Sequence, residues 1–377
     1  MLSLSAISVA ACYVGLPAAV ALKARVAPRP VRRGSVALPD RVSVVVAAHN
    51  EAASIIQKLD DLSAQRLGDV ELEIVIASDG SSDATVELAQ AHPAQPVVLD
   101  LPRGGKATAL NAGIERSSGD IIVFTDANSG LDDSTLATLL DPFTDPEVGG
   151  VAGDQRYRRS TSGAGEGERS YWDYERALKR WESAAGNVVS STGALHAVRR
   201  QFVEEVPGDV TDDFFLSTGV IVNGGRLVFE PDAMAWEEPG EKGGDEYRRK
   251  VRIITRGLTA IRRRKSLLNP LRHGGYSLVL LMHKVARRLM FVPLVGAFAA
   301  TIVLRRESRV AAWALRGQAA LYGAGAIGVI TSESPVGRLP VFSLPGHFVR
   351  TYAAAAHAVG KVLRSERIVS WEHQRPS

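Results

Sequence analysis

The sequence predicts an α/β fold, with a mostly parallel central sheet, helices on both of its faces, and apolar helices on either side of this region in the chain. Three observations predict it. Short apolar runs alternate with helical patterns between residues 41 and about 143. Polar and acidic residues follow directly after several of these runs, which is where ligands bind in such sheets. Long apolar stretches flank the region.

Four short runs, several of them rich in β-branched residues, predict the first strands, at 41–48, 72–77, 96–101 and 121–125. The helix between the first two strands is indicated by apolar residues at helical spacing, Ile55, Ile56, Leu59 and Leu62. Asp83 can cap the next helix. Gly119 ends the helix that begins at Lys106.

After residue 143 the pattern becomes mixed. Strands are predicted at 148–157, leaving the core, and at 226–231, and two short strands are predicted around Gly193. The Gly/Ser-rich stretch 160–168 predicts a flexible loop. Helices are predicted over 169–185, from the capping residue Thr211 to Gly224, and over the strongly basic 245–265.

Residues 2–22 carry no charge over 21 positions, which is enough for a helix to cross a bilayer. Five basic residues follow between 23 and 33, so the positive-inside bias assigns the chain after them to the cytoplasm. A cleaved signal peptide is the alternative, but such peptides carry their positive charge before the apolar core. The runs at 289–304 and 310–330 predict further spans, and 341–360 predicts a span or an interfacial helix.

These patterns predict a multi-pass protein of the plasma membrane whose α/β domain is cytoplasmic. The predicted segments are an N-terminal transmembrane anchor (1–23), a basic linker (24–40), the α/β domain (41–240), basic amphipathic interface helices (241–275), a C-terminal transmembrane region (276–363) and a tail (364–377).

Cysteine content and charge exclude some classes of function. The single cysteine, Cys12, excludes disulfides within the chain and a metal–thiolate cluster. The net charge is +4, and basic residues crowd 23–33, 248–265 and 284–309. Beside apolar spans, this charge is typical of contact with lipid headgroups, so we expect the bilayer as a partner and no nucleic acid.

Side chains able to bind a ligand converge on one predicted sheet edge. His49 and Glu51 follow the first strand, Asp79 ends the second, and Asp126 follows the fourth. Because the carboxyl ends of parallel strands meet at the same edge, we expect these residues to lie close together. The alternative is that each acid only caps a helix or forms a turn, which explains Asp83 well.

The motifs resemble those of family 2 glycosyltransferases, in particular the membrane-embedded, polysaccharide-synthase-like branch that makes cellulose, hyaluronan and poly-N-acetylglucosamine. They extend from 42 to 257, over half of the chain, and they are VVVAAHNE, SDGSSD, GGKATALNAG, FTDANS, STGALHAVRR, TDDF and RRKVRIITRG. The resemblance implies a nucleotide-diphospho-sugar transferase domain of the GT-A type over 41–240. It also implies a nucleotide-sugar donor, a UDP-sugar by this resemblance, and inversion at the anomeric carbon.

The same resemblance implies a divalent metal, Mg²⁺ or Mn²⁺. A hard dication on phosphate oxygens neutralises the charge that develops on a diphosphate leaving group. Asp126 would be its anionic ligand, and Asn128 stands where the family's D-x-D motif has a second acid. An amide oxygen can still ligate a metal, although it brings no charge, because the diphosphate supplies further anionic oxygens.

Five residues match positions that line the donor in the family: Ala47, His49, Glu51, Asp79 and Lys106. The ammonium of Lys106, together with free N–H groups at a helix start, suits a phosphate. Two alternatives remain open. Asp79 could form an Asx turn, and Lys106 could be a solvated lysine of a first helical turn.

The TDDF motif resembles the family's T-E-D motif, which puts Asp213 at the position of the catalytic base and Asp212 at that of its acidic neighbour. An inverting transfer needs a base to accept the proton of the attacking hydroxyl. Both acids could instead serve only the start of the helix that Thr211 caps.

The basic helix resembles the family's Q-x-x-R-W segment, with Arg249 and Arg252 at the Gln and Arg positions and predicted to contact the substrate. Ile253 replaces the Trp that stacks on the acceptor sugar in processive relatives, which puts processive synthesis in doubt. The alternative is a positive rim beside lipid headgroups. An aromatic acceptor platform or ordinary packing could explain Trp172, Tyr174 and Trp181.

Two hypotheses follow for the function. In the first, the protein is a membrane-bound inverting glycosyltransferase that moves a sugar from its donor to a growing polysaccharide or a lipid-linked acceptor. In the second, it is a non-catalytic subunit that binds a sugar nucleotide and partners another membrane protein of a glycan-export complex. The retained residues Asp126, Asp213, Lys106 and Arg252 favour the enzyme.

Overall fold

The computed structural model describes residues 2–157, 166–237, 245–332, 334–337 and 339–366. The strands are β1 Arg41–Ala48, β2 Glu71–Asp79, β3 Val97–Leu101, β4 Ile121–Thr125, β5 Gly130–Leu131, β6 Val148–Tyr157, β7 Leu195–Arg199 and β8 Arg226–Glu237. The α-helices are α1 Leu2–Ala10, α2 Leu16–Val26, α3 Ile55–Ser63, α4 Thr85–Gln90, α5 Lys106–Arg116, α6 Thr135–Leu140, α7 Glu166–Ala185, α8 Asp212–Val222, α9 Asp245–Arg263, α10 Pro270–His273, α11 Gly275–Leu280, α12 Arg287–Leu289, α13 Phe291–Leu304, α14 Arg309–Ile330 and α15 Pro340–Leu363.

The chain divides into two compact units, which are described separately below. The α/β unit comprises Val20–Glu241 and Arg263–Tyr276. The helical unit comprises Met1–Ala19, Lys242–Arg262 and Ser277–Ile368. Most of the predicted tail (364–377) and most of the predicted Gly/Ser loop (160–168) lie outside the described residues.

The α/β unit is built on one eight-stranded sheet in the order β3-β2-β1-β4-β7-β6-β8-β5. β1 pairs in parallel with β2 and β4, β2 with β3, and β6 with β8, while β7 runs antiparallel to both of its neighbours. The predicted α/β class with a mostly parallel sheet is therefore confirmed. The carboxyl ends of β1, β2, β4, β6 and β8 lie at one edge of the sheet, where β7 begins.

Two local predictions were wrong. β6 does not leave the core, since it lies between β7 and β8 and is buried from Val148 to Asp154. The region around Gly193 contains one strand, β7, and an isolated bridge between Thr192 and Leu195, rather than two strands. In both places apolar residues lie in the sheet, but the apolar pattern of a segment does not show which strand it pairs with.

The core forms where α3 and other helices cover the sheet. β1 is buried along its whole length after Arg41, as expected for a central parallel strand. On α3, Ile55, Leu59 and Leu62 are fully buried, whereas Ile56 is 44% exposed, contrary to the prediction that it belongs to the apolar face. Each such buried side chain contributes roughly 1.5–3 kcal/mol to folding.

The helical unit contains a close helix crossing. α14 and α15 approach each other at Gly328 and Gly346, where the backbones are in contact and a Cβ atom at Gly328 would overlap the carbonyl oxygen of Phe342. Small residues allow such an approach in membrane helix bundles. The segment Ile7–Val26 is the one helix among the described residues that is long and apolar enough to cross a membrane.

A second candidate span is broken. The helices Gly275–Leu289 and Phe291–Leu304 together reach the required length and hydropathy, but they are bent by 50° where they join. α14 and α15, which cover the apolar runs at 310–330 and 341–360, are not candidates by this criterion. Arg316, Gln318 and the glycine residues lower the mean hydropathy of α14. A multi-pass arrangement is not supported by these helices.

Candidate active site

The site is built at the edge of the sheet where the parallel strands end. Asp126 follows β4 directly, and the register Thr125↔Leu195 brings the turn before β7 beside it. Lys106 is the first residue of α5, and Asp212 is the first residue of α8. Three segments that are far apart in the sequence thus meet at one point of the α/β unit.

Lys106 connects two carboxylates at this point. Its Nζ lies 2.8 Å from Asp126 Oδ1 and 3.0 Å from Asp212 Oδ2. Burial alone would lower the pKa of Lys106, but the two carboxylates outweigh burial and raise the pKa above its ordinary value. The ammonium group is therefore charged at any physiological pH. Its third N–H, for which the described residues show no acceptor, remains able to donate to an anionic ligand.

The described interactions of Asp213 differ from those of Asp212. Its backbone carbonyl accepts hydrogen bonds from Ser191 Oγ at 3.0 Å and Ser217 Oγ at 2.6 Å. Its carboxylate acts on Lys179 of α7, although burial dominates there and lowers the pKa of Lys179. The predicted pair is thus divided: Asp212 binds Lys106, and Asp213 lies beside it, held by its backbone. Thr211 occupies the N-cap position of α8, but its side chain makes no capping hydrogen bond.

The surroundings of Asp126 fit a divalent metal only in part. A Cβ atom at Gly193 would lie 3.2 Å from Asp126 Oδ2, so the bare glycine backbone leaves space at this oxygen. Asn128 is exposed, and its amide oxygen is available as a neutral ligand. The described residues contain no group of three His, Cys, Asp or Glu side chains that could hold a metal alone. A dication here would therefore need oxygens from a bound diphosphate and water.

Asp79 is used by its own chain. Its side chain is buried, and Oδ1 accepts hydrogen bonds from the backbone N–H groups of Gly104 at 2.7 Å and Gly105 at 2.8 Å. Arg103 donates to Oδ2 at 2.9 Å. The carboxylate therefore shapes the loop before α5, where Gly105 has a φ of +95°. Two of the N–H groups expected to be free for a phosphate near Lys106 are occupied by Asp79.

The other predicted donor-lining residues lie at the ends of β1 and β2. His49 Nδ1 donates to the carbonyl oxygen of Asp79 at 2.9 Å and so joins the two strand ends. Glu51 is buried and accepts a hydrogen bond from Ser54 Oγ at 2.7 Å at the start of α3. Ala47 is buried inside β1, opposite Ala77. Their predicted contacts with the donor stay predictions.

Comparison with known proteins identifies the domain. Residues 43–206 match the family model described as glycosyl transferase family 2. The chain carries a family 2 glycosyltransferase domain. The predicted resemblance, and with it the prediction of a family 2 glycosyltransferase, is confirmed.

Two similar curated proteins are polysaccharide synthases. Poly-beta-1,6-N-acetyl-D-glucosamine synthase of Staphylococcus aureus (strain COL) is 30% identical over 220 residues, which cover 56% of this chain and 53% of that protein. The synthase of the same name from Staphylococcus epidermidis is 26% identical over 273 residues, covering 70% of this chain and 65% of that protein. The chain spans about half the length of the first of these relatives.

A solved structure is similar in fold to this chain over nearly its whole length. The mannosyltransferase PcManGT from Pyrobaculum calidifontis, in complex with GDP-Man and Mn²⁺, superimposes with a TM-score of 0.71 at 24% identity. The match covers 97% of this chain and 100% of the other. The predicted GT-A-like α/β fold is thereby confirmed.

The structure gives only the location and exposure of the remaining predicted residues, on α9 and α7. Arg249 and Arg252 belong to α9 in the helical unit, where Arg249 is exposed and Arg252 is half-buried. On α7, Tyr174 is half-buried and Trp181 is 37% exposed, while the side chain of Trp172 lies outside the described ones. The roles of these residues in substrate binding stay predictions.

Sequence reasoning missed His196 of the glycosyltransferase domain. It is 1% exposed, its ring stacks on Phe124 with centroids 5.0 Å apart, and its Nδ1 donates to the carbonyl oxygen of Thr192 at 3.1 Å. Burial lowers the pKa of His196 to about 4, which the carboxylates of Asp212 and Asp126 only partly oppose. A neutral imidazole thus lies behind the carboxylates. Its place opposite Phe124 depends on the pairing of β4 with β7, which the local sequence pattern does not reveal.

Proposed function

We propose that the chain transfers a sugar from a nucleotide-sugar donor to a hydroxyl group of a growing glycan or a lipid-linked acceptor, with inversion at the anomeric carbon. The observation that carries the proposal is the meeting of Asp126, Lys106 and Asp212 at the edge of the sheet. A cation held between two carboxylates beside exposed amide and carboxylate oxygens suits a diphosphate with its metal.

Some residues act on the leaving diphosphate, and Asp213 acts on the attacking hydroxyl group at the opposite side of the anomeric carbon. Lys106 donates its remaining N–H to a phosphate oxygen, and Asp126 with Asn128 would hold Mg²⁺ or Mn²⁺. The metal, when bound, neutralises the negative charge of the leaving diphosphate. Asp213 accepts the hydroxyl proton as the acceptor oxygen bonds to the anomeric carbon, and the bond to the diphosphate breaks. Asp212 keeps Lys106 in place.

Two nucleotide sugars are the first candidates for the donor. The resemblance implies a UDP-sugar, and the Staphylococcus relatives are named for a polymer of N-acetylglucosamine, which favours UDP-N-acetylglucosamine. The structure of similar fold holds GDP-mannose and Mn²⁺, which makes GDP-mannose the second choice. An envelope polysaccharide or its lipid-linked precursor is the product that these relatives favour.

Membrane attachment through the N-terminal helix is part of the proposal. Ile7, Val14 and Leu22 are 62–66% exposed on that helix, and burying them in lipid is favourable. The basic residues after it favour a cytoplasmic position for the glycosyltransferase domain, at the plasma membrane.

The test is donor turnover by the full chain purified in detergent, with each nucleotide sugar and Mg²⁺ or Mn²⁺. We expect metal-dependent release of nucleoside diphosphate, and we expect Asp213→Asn to reduce the rate by about 100-fold or more, because general-base catalysis contributes that much. Asp69→Asn, a change of an exposed loop acid, is the matched control and keeps the wild-type rate.

Equal rates for Asp213→Asn and wild type would overturn the assignment of the base. No turnover of any donor, combined with donor binding, would favour the non-catalytic subunit instead.

A further inference from the structure

A lysine lies buried beneath the segment that carries Asp126. Lys58 is on α3, three residues after Ile55 and on the same inward face as Leu59 and Leu62. It is 1% exposed. Burying a lysine is costly unless its ammonium group is hydrogen-bonded, so the contacts of Nζ explain why it is there.

These contacts hold both ends of the Asp126 segment. Nζ donates to Thr125 Oγ1 at 3.1 Å and to the backbone carbonyl oxygen of Ser129. Thr125 Oγ1 in turn donates to the carbonyl oxygen of Ala194 at 2.8 Å, next to the glycine that faces Asp126. Lys58 therefore connects the residue before Asp126, the residue after Asn128 and the turn before β7.

The groups that balance the charge of Lys58 are carboxylates beyond its direct hydrogen-bond acceptors. The two direct acceptors that the structure describes are neutral. Burial lowers the pKa of the Lys58 ammonium group to about 8, and the nearby carboxylates of Asp61, Asp126 and Glu237 partly oppose this effect. Glu237 also accepts a weak hydrogen bond from Ser129 Oγ, at 3.4 Å, so the segment is held from two sides. Asp61 accepts the backbone N–H of Leu131 at 2.9 Å just beyond it.

We propose that Lys58 is a positioning residue for metal binding, which fixes the direction of Asp126 and Asn128 from behind. This inference rests on the proposed function. With Asn128 in place of a second acid, the segment offers one anionic ligand, so its geometry must be set by the protein more than by carboxylate–metal bonds. Groups that orient a metal ligand typically change metal affinity about 10–100-fold when they are removed.

The test measures Mn²⁺ binding to the full chain in detergent by electron paramagnetic resonance, with UDP and, in parallel, with GDP. We expect Lys58→Met to weaken Mn²⁺ binding about tenfold or more. Ile55→Val, on the same face of the same helix, is the matched control for a small loss of core packing and leaves Mn²⁺ affinity unchanged. Excess Mn²⁺ restores most of the turnover of Lys58→Met, because positioning is lost and the catalytic groups remain.

Thr125→Val keeps the shape of the side chain and removes one acceptor of Nζ, so it tests the same contact if Lys58→Met does not fold. Wild-type Mn²⁺ affinity in Lys58→Met, or in Thr125→Val when that variant stands in, would overturn the inference while leaving the proposed function intact. Absence of Mn²⁺ binding by the wild-type chain with either nucleotide would instead overturn the metal site itself.

Discussion

Lys106 forms ion pairs with two carboxylates, and this arrangement explains how the carboxylates can lie close together. Asp126 and Asp212 would repel each other without the ammonium group between them. Both carboxylates are partly exposed, so a ligand can reach them. The sequence predicted Asp126 at the sheet edge and Lys106 among the donor-lining residues, but it contained no signal that Asp212, rather than Asp213, would bind the lysine.

Asp79 illustrates the limit of reading residues by position. A carboxylate at a strand end can bind a ligand or the chain itself, and the two uses have the same sequence signature. Here the carboxylate is occupied by the backbone of Gly104 and Gly105 and by Arg103. The Asx-turn alternative is wrong in this form, because these partners lie 24 to 26 residues further along the chain and not two.

His196 gives the folded chain a pH dependence. Because the folded chain keeps it neutral down to a pKa of about 4, against 6.5 for the ordinary side chain, the unfolded chain binds a proton that the folded chain does not. Stability is complete above pH 6.5 and is lost as the pH falls toward 4, by up to about 3 kcal/mol. Denaturant unfolding of the wild type at a series of pH values measures this loss.

The control is His196→Gln, which cannot titrate. Its free energy of unfolding has a smaller slope between pH 4 and 6.5 than that of the wild type. Identical slopes would show that other groups cause the acid sensitivity.

At the scale of elements, α3 carries a lysine within its apolar face. Its inward residues recur at the spacing of an apolar helix face, and Lys58 occupies one position of that face. The pattern predicted the helix and most of its core residues. It could not predict the buried lysine, because the acceptors of Nζ come from Thr125 and Ser129, far along the chain.

The strands were predicted well where the chain alternates regularly, from β1 to β4. Errors begin after residue 143, where β6, β7 and β8 are neighbours in the sheet but not in simple sequence order. Antiparallel insertion of β7 between two parallel sets depends on long-range pairing, which local patterns do not encode.

The contact between α14 and α15 in the helical unit depends on glycine. We expect Gly328→Ala to destabilise the full chain in detergent by about 1–3 kcal/mol, because the added Cβ would overlap the carbonyl oxygen of Phe342 and force the helices apart. Thermal unfolding monitored by circular dichroism measures the change.

Gly317→Ala is the matched control on the same helix, since nothing lies within 4 Å of its added Cβ. It should be neutral or stabilise the helix by up to about 1 kcal/mol. Equal effects of the two substitutions would contradict the proposed importance of the crossing.

For the whole molecule, the sequence predicted membrane attachment, and the helix Ile7–Val26 is the element that best fits it. We expect the full chain to sediment with membranes and to resist alkaline extraction. Val14→Arg, in the middle of the helix, should release a larger fraction, because a central charge costs about 2.5–3.5 kcal/mol on insertion scales.

Val26→Arg is the matched control, since it lies at the end of the same helix beside Arg25 and its charge can reach the interface. Complete extraction of the wild-type chain by alkali would contradict integral attachment.

The account depends above all on Lys106 and Asp126 acting as one unit on the donor diphosphate, and a double-mutant cycle tests this most directly. The measurement is the rate of nucleoside diphosphate release, at saturating donor and Mn²⁺, for Lys106→Met, Asp126→Asn and the double variant. We predict that each single change reduces the rate by about 100-fold or more and that the double variant is hardly slower than the worse single variant. Losses that multiply in the double variant, or single variants as fast as the wild type, would contradict the account.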